Sequence, residues 1–241
     1  MIELKNVSFK YKNTLALDDI SLNIKDGESV ALIGENGSGK STLLKLINGI
    51  VSPVSGEYIV DNEVITEKRL SDSTFSKKFH KKIGFVFQNS VTQLFCATVF
   101  EEIAFGPIQL GMSEEEVEER VNDCLEMLNI EKLRDREPYN LSGGEKKKVA
   151  IASVLALNPE VIGFDEPFNE IDPKSKRFLR DLILKLNENG KTIICATHDF
   201  EYIEGIFNRA IVFSSENKII RDGNYEEVIS DRDFLRENNI I

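Results

Sequence analysis

The sequence predicts an α/β fold: a mainly parallel sheet flanked by helices, an antiparallel β subdomain at the N-terminus, and a helical subdomain inserted between two strands of the sheet. Three observations predict it. Short continuous apolar runs such as VALI at 30–33 have the character of strands buried on both faces. Segments with apolar residues at helical spacing alternate with those runs, which implies right-handed crossovers. Alternating, partly charged segments at 2–11, 16–25 and 56–65 read instead as antiparallel strands.

Along the chain, Asp26-Gly27, Ser55-Gly56 and Asp61-Asn62 punctuate the alternating segments as turns. The run VALI ends in Gly34, and Leu43, Leu46, Ile47 and Ile50 then share one helical face, with Gly49 near its end. Further buried strands are predicted at 83–87, 161–164, 192–197 and 210–213. The stretch 89–158 is helical in pattern and has no convincing strand, so it is the expected insertion. Inside it, Ser113 and Glu116 form a capping-box pattern ahead of Val117, Val121, Leu125 and Leu128, and the acidic run EEEVEER is read as the solvated face of that helix. Later, Asp172-Pro173 supplies an N-cap and a first-turn proline; Phe178, Leu182, Ile183 and Leu186 line the helix, and Gly190 closes it.

The chain has 241 residues, 41% of them hydrophobic and 29% charged, which suits one domain across 1–241 with a core of its own. A net charge of −11 gains nothing from a phosphate backbone, so nucleic acid is not an expected partner. The opening IELKNVSFKY lacks the regions of a leader, and no apolar run is long enough to span a bilayer; neither secretion nor a membrane span is expected. Cys96, Cys124 and Cys195 are scattered without a CxxC, as in a reducing compartment.

The chemistry collects at strand ends. GENGSGKS at 34–41 fits the phosphate-loop pattern G-x-x-x-x-G-K-[ST] and lies between a buried strand and an amphipathic helix, as that pattern requires. Gly34, Glu35, Asn36, Gly37, Ser38 and Gly39 would turn backbone N–H groups toward phosphate, Lys40 would reach the outer phosphates, Ser41 would ligate Mg²⁺, and Thr42 follows in the first helical turn. VIGFDE at 161–166 ends a buried strand in two carboxylates, which suits Asp165 as a Mg²⁺ partner and Glu166 as the group that orients or deprotonates water. Gly163 is expected to weaken that strand slightly. Gln88 and His198 also follow predicted parallel strands, so all these residues fall on the edge where open α/β sheets bind ligands.

LSGGEKKK at 141–148 stands apart. Ser142 and Glu145 have capping-box spacing before an apolar helical face, and the lysines behind them are expected on a solvated face. Capping does not explain two glycines in a first turn, each costing about 1 kcal/mol relative to alanine. They make sense if an anion approaches the bare amides there.

These residues, in this order, resemble the ABC-type ATPase over essentially the whole chain: the phosphate loop, Gln88, LSGGE, VIGFDE, Ile171-Asp172 and the histidine of ATHD at 196–199. The resemblance implies the P-loop NTPase fold of that family and ATP hydrolysis with Mg²⁺ held near Ser41, Gln88 and Asp165. It further implies Glu166, His198, Gln88 and Lys40 as catalytic groups, Tyr11 on the adenine, and a head-to-tail dimer in which Ser142, Gly143 and Gly144 cover ATP in trans. FQN, QLF, TV and AFGP within 87–107 look like the ATPase subunits of energy-coupling-factor importers of vitamins or of cobalt and nickel. That implies a homodimer or a heterodimer with a related ATPase, integral membrane partners reached through 88–107, and a peripheral position on the cytoplasmic face of the membrane. Ser90, Val91 and Thr92, Glu145 after LSGG, and Asn169 and Glu170 before Ile171-Asp172 depart from the family's usual residues. Alternatives are an ABC ATPase without a membrane partner, an exporter or amino-acid importer ATPase, and a P-loop kinase or GTP-dependent switch.

Overall fold

The computed structural model of the protein describes residues 1–198 and 203–241. In a four-stranded antiparallel sheet, β1 (Ile2–Tyr11), β2 (Thr14–Ile24), β4 (Ser55–Val60) and β5 (Glu63–Val64) lie in the order β2-β1-β4-β5. The turn expected at Asp61-Asn62 separates β4 from β5. Asp61 and Asn62 take φ of 49° and 66° between the paired residues Val60 and Glu63, a two-residue hairpin loop with both central residues left-handed.

A six-stranded sheet runs β10-β9-β3-β8-β7-β6. Its parallel members, β3 (Ser29–Gly34), β6 (Ile83–Val86), β7 (Val161–Asp165), β8 (Thr192–Ala196) and β9 (Arg209–Phe213), are the strands that the apolar runs predict. β10 (Ile219–Asn224) is antiparallel at the edge and only half buried; no apolar run marks it, and its pairing with β9 defines it.

Period-two alternation divides the parallel strands between two cores. Val30, Leu32, Ile83, Phe85, Ile194 and Ile211 face α1 (Lys40–Ile47) and the antiparallel sheet. Between β5 and β6 lie α2 (Glu67–Leu70) and α3 (Ser73–Lys82), with side-chain caps from Thr66 and Asp72; one buried residue, Phe79, leaves no periodic signal for them in the sequence. On the other face, Ala31, Ile33, Val86, Ile162, Phe164 and Cys195 join one continuous apolar cluster with α4 (Val99–Gln109), α5 (Glu114–Leu128), α6 (Gly143–Leu155) and α7 (Pro173–Glu188). Complete capping boxes start α4, α5 and α6, at Thr98/Glu101, Ser113/Glu116 and Ser142/Glu145. The short α8 (Tyr225–Ser230) and α9 (Arg232–Glu237) close the chain.

Gly163 turns out to position the site. A Cβ there would lie 3.1 Å from Asn48 and 3.4 Å from Leu44, so its absence lets α1 settle directly on β7 and brings the loop before α1 beside Asp165.

Candidate functional site

Strands β3, β8, β7 and β6 are parallel neighbours, so their carboxyl ends form one edge. A cavity of about 360 Å³ opens there, lined by Asn36, Gly37, Gly39, Lys40, Ser41, Thr42, Gln88, Glu166, Asn169 and His198.

The loop before α1 is shaped by close approaches that only glycine allows. Gly34 has φ 149°, and a Cβ on it would sit 2.6 Å from the Phe213 carbonyl oxygen; on Gly39, at φ 104°, a Cβ would meet the Ala16 carbonyl oxygen at 2.5 Å. Gly39 is also the N-cap of α1, with no side-chain cap and no acidic residue in the first turn, so the helix presents its amides and positive dipole end uncompensated. The Lys40 ammonium, 5% exposed, donates to the carbonyl oxygens of Gly34 at 2.7 Å and Glu35 at 2.8 Å, holding the loop closed on itself. Burial lowers its pKa, against the pull of Glu166 and Asp165.

Ser41 Oγ donates to Asp165 Oδ1 at 2.6 Å, joining the loop to the end of β7. Burial raises the Asp165 pKa above the ordinary carboxylate range, opposed by the Ser41 hydrogen bond, Lys45 and Lys40. Beside it, Glu166 stands at φ 46°, left-handed for a non-glycine residue at a cost of about 1–3 kcal/mol, while its N–H donates to the Ala196 carbonyl at 2.9 Å. Glu166 Oε2 is buried and has no hydrogen bond among the described residues, although His198 Nδ1 lies 3.0 Å away. Ser38 Oγ is the second buried oxygen of this region without a partner. A strained acid and orphaned oxygens next to a cavity mark a place built to receive something polar.

Of the expected binding residues, Tyr11, Gly34, Glu35, Ser38 and Asp165 are not on the cavity wall; Gly34, Ser38 and Asp165 are buried. Glu35 contributes its carbonyl to Lys40, and Tyr11, 43% exposed at the end of β1, packs edge-to-face on Phe9 at 4.8 Å. Asp199 of ATHD lies outside the described residues. Asn169, which lines the cavity, is the residue that motif reading passes over; its signal is its place three residues after Glu166 in the turn leaving β7.

Ser142, Gly143 and Gly144 are elsewhere, at the N-terminus of α6. Ser142 and Gly144, with Glu145, Lys148 and Asp172, border a larger depression of about 740 Å³, but the phosphate-loop lysine and Glu166 line the smaller one. Glu145 Oε2 accepts from Ser142 N at 2.9 Å and from Ser142 Oγ at 2.7 Å, and these bonds lower its pKa. The two glycines differ. A Cβ on Gly144 would press on Ser175 Oγ at 3.0 Å, an intrachain reason for glycine, whereas on Gly143 it would meet only the Glu170 carbonyl oxygen, at 3.4 Å. Glu170 has φ 61°, a conformation that favours glycine.

The lysines after Glu145 do not form the expected solvated face. Lys147 is 4% exposed, and Lys148 donates to the Leu128 carbonyl at 2.8 Å with its ammonium 4.2 Å from the centre of the Phe178 ring. Spacing holds the signal: Lys147 falls one turn before the buried Ile151, on the apolar side of α6.

Residues 17–169, more than half of the chain, match the family described as ABC transporter. A putative ABC transporter ATP-binding protein of Clostridium acetobutylicum is 65% identical over 241 residues, covering 100% of both chains. The nickel import ATP-binding protein LarO of Lactiplantibacillus plantarum is 46% identical over 92% of each chain. An energy-coupling factor transporter ATP-binding protein, EcfA, of Methanothermobacter thermautotrophicus is 41% identical over 100% of this chain and 76% of its own. Among solved structures, cbiO1 of Clostridium perfringens, part of the ABC transporter complex cbiONQ, superposes with a TM-score of 0.84 at 36% identity, covering 99% of this chain and 94% of that one. A dimeric ATP-binding cassette in a post-hydrolysis state with ADP and Pi gives 0.83 at 36% identity, covering 93% and 98%.

Proposed function

The chain belongs to the ABC transporter family and is an ATPase subunit of a transporter; from that premise we propose that it energises an energy-coupling-factor importer for a vitamin, cobalt or nickel. The likeness to a nickel import ATPase, to EcfA and to cbiO1 supports this class. The observation that carries the site assignment is the 2.6 Å bond from Ser41 to Asp165, which joins the end of β7 to the phosphate loop beside the cavity that Lys40, Ser41 and Glu166 line.

In this reading ATP lies with its phosphates in the 34–42 loop and its base near Tyr11. Backbone N–H groups and the start of α1 bind the phosphates, and Lys40 exchanges its bonds to the loop's carbonyls for phosphate oxygens. The Ser41 hydroxyl and Asp165 carboxylate, with Gln88, suit Mg²⁺: it takes oxygen ligands and is held by one or two carboxylates plus phosphate, so it needs no all-protein cage, and none of three or more His, Cys, Asp or Glu is found among the described residues. When bound there, Mg²⁺ neutralises charge on the transferring phosphoryl group. Glu166, whose Oε2 has no competing hydrogen bond, orients and deprotonates the attacking water, and His198 next to it stabilises the developing charge.

Ser142, Gly143 and Gly144 of a second ATPase subunit, identical or related, close over the nucleotide. Val91 and Phe95, 62% and 68% exposed, and Tyr139, 71% exposed, give the α4–α6 region an apolar surface for a membrane subunit. No helix among the described residues is long and apolar enough to cross a membrane, so the proposed place is peripheral, on the cytoplasmic face. Purification from native membranes in mild detergent tests this: integral membrane proteins should come with the chain, and recovery without any would count against an importer.

A further inference from the structure

Helix α6 contains a buried charge that the nucleotide cavity does not use. Lys147 forms no ion pair within 4.0 Å among the described residues. Its Nζ donates to the carbonyl oxygen of Gln88 at 2.6 Å. Removing an ammonium from water is costly, and one neutral carbonyl satisfies only one of its three donors. Glu170 and Asp165 attract it from farther away, while burial lowers its pKa. A charge in this situation is a poor device for stability, so what it holds is the informative point.

Gln88 is held from both sides. Gln93 Oε1 accepts from the Phe87 N–H at 3.2 Å, and Gln93 Nε2 donates to the Ala150 carbonyl at 2.8 Å. Lys147 and Ala150 both belong to α6, the helix that begins at Gly143. The backbone at Phe87 and Gln88 is therefore fastened to α6 at two points, and any displacement of α6 relative to the sheet carries Gln88 with it.

We propose that Lys147 is a positioning residue for ATP hydrolysis: by fixing the Gln88 carbonyl to α6, it sets whether the Gln88 side chain stands in the nucleotide cavity. Turnover in one site then depends on where the helix behind Ser142 and Gly143 sits. The inference rests on the reading that Gln88 serves the nucleotide site.

The test is steady-state ATP hydrolysis by the full chain, in the assembly in which it is isolated, for Lys147→Met, Gln88→Ala and the double variant, with thermal midpoints measured in parallel. Lys147→Met should lower kcat about 10- to 100-fold, the scale of a misplacement near 1 Å. KM for ATP should change less than about threefold, because the phosphate loop is untouched. The thermal midpoint should change little, since loss of the donor to the Gln88 carbonyl is offset by removal of a buried charge. In the Gln88→Ala background Lys147→Met should have no further effect. Wild-type kcat for Lys147→Met overturns the proposal, and so does an equal loss in both backgrounds, which leaves Gln88 in its role and places Lys147 in packing. Normal turnover of Gln88→Ala alone removes Gln88 from the site and takes the proposal with it.

Discussion

The carboxyl edge of the parallel sheet and the N-terminus of α6 both present helix amides that an anion could approach, yet they are built differently. At the sheet edge the chain supplies its own counterparts: Lys40 rests on the loop's carbonyls, Ser41 on Asp165, and the Cβ-free positions Gly34 and Gly39 are demanded by neighbours at 2.6 Å and 2.5 Å. At α6 the serine is capped and exposed, and Gly143 has only a carbonyl at 3.4 Å. The first region is preorganised within one chain. The second carries a glycine that its own chain does not need, which fits a surface completed by another subunit. The 166–170 turn links them, since Asn169 lines the cavity and the Glu170 carbonyl faces Gly143.

Four substitutions separate the two regions. The largest effect is expected at the sheet edge: Glu166→Gln should lower hydrolysis about 10²- to 10⁴-fold. ATP binding should persist and an ATP-dependent dimer should accumulate on size-exclusion chromatography; unchanged turnover would remove Glu166 from its role. Next, Gly143→Ala should stabilise α6 by up to about 1 kcal/mol, because the Cβ has room in its own chain. The same variant should hydrolyse ATP about tenfold or more slowly by crowding an anion-binding amide. Full turnover in that variant would mean that α6 covers no ligand.

A third test uses pH. Folding raises the Asp165 pKa from its ordinary 3.8, so the folded state disfavours the ionised form. That penalty is absent below the unfolded pKa, grows as pH rises through the interval above it, and is then constant. Asp165→Asn should therefore melt higher than the parent at neutral pH without nucleotide, with the gap closing toward pH 3.8. A gap independent of pH would refute burial as the cause. The smallest effect lies on the linking turn: Glu170→Gly relieves a φ of 61°, worth about 1 kcal/mol. A differential scan should show a midpoint raised by about 2–4 °C.

Much of this was legible in the residues. The five parallel strands follow from apolar runs, the capping boxes at Ser113 and Ser142 from a three-residue spacing, and the phosphate loop from glycines between a strand and a helix. β10, α2 and α3 were not, because edge pairing and short capped turns leave little periodic trace. Lys147 in LSGGEKKK follows the same logic: a charged type suggests solvent, and only packing against the rest of the fold buries it.

What the sequence determined alone is whatever depends on neighbours along the chain: turns that need glycine, caps, and the periodicity that sorts side chains between faces. What tertiary structure decided depends on residues far apart in sequence. It placed Gly163 under α1, gave Gly144 but not Gly143 a reason within its own chain, and set the ammonium of Lys147 on the carbonyl of Gln88. The reason is physical: propensity and capping are local energies, whereas burial of one polar atom is fixed only when distant segments meet around it.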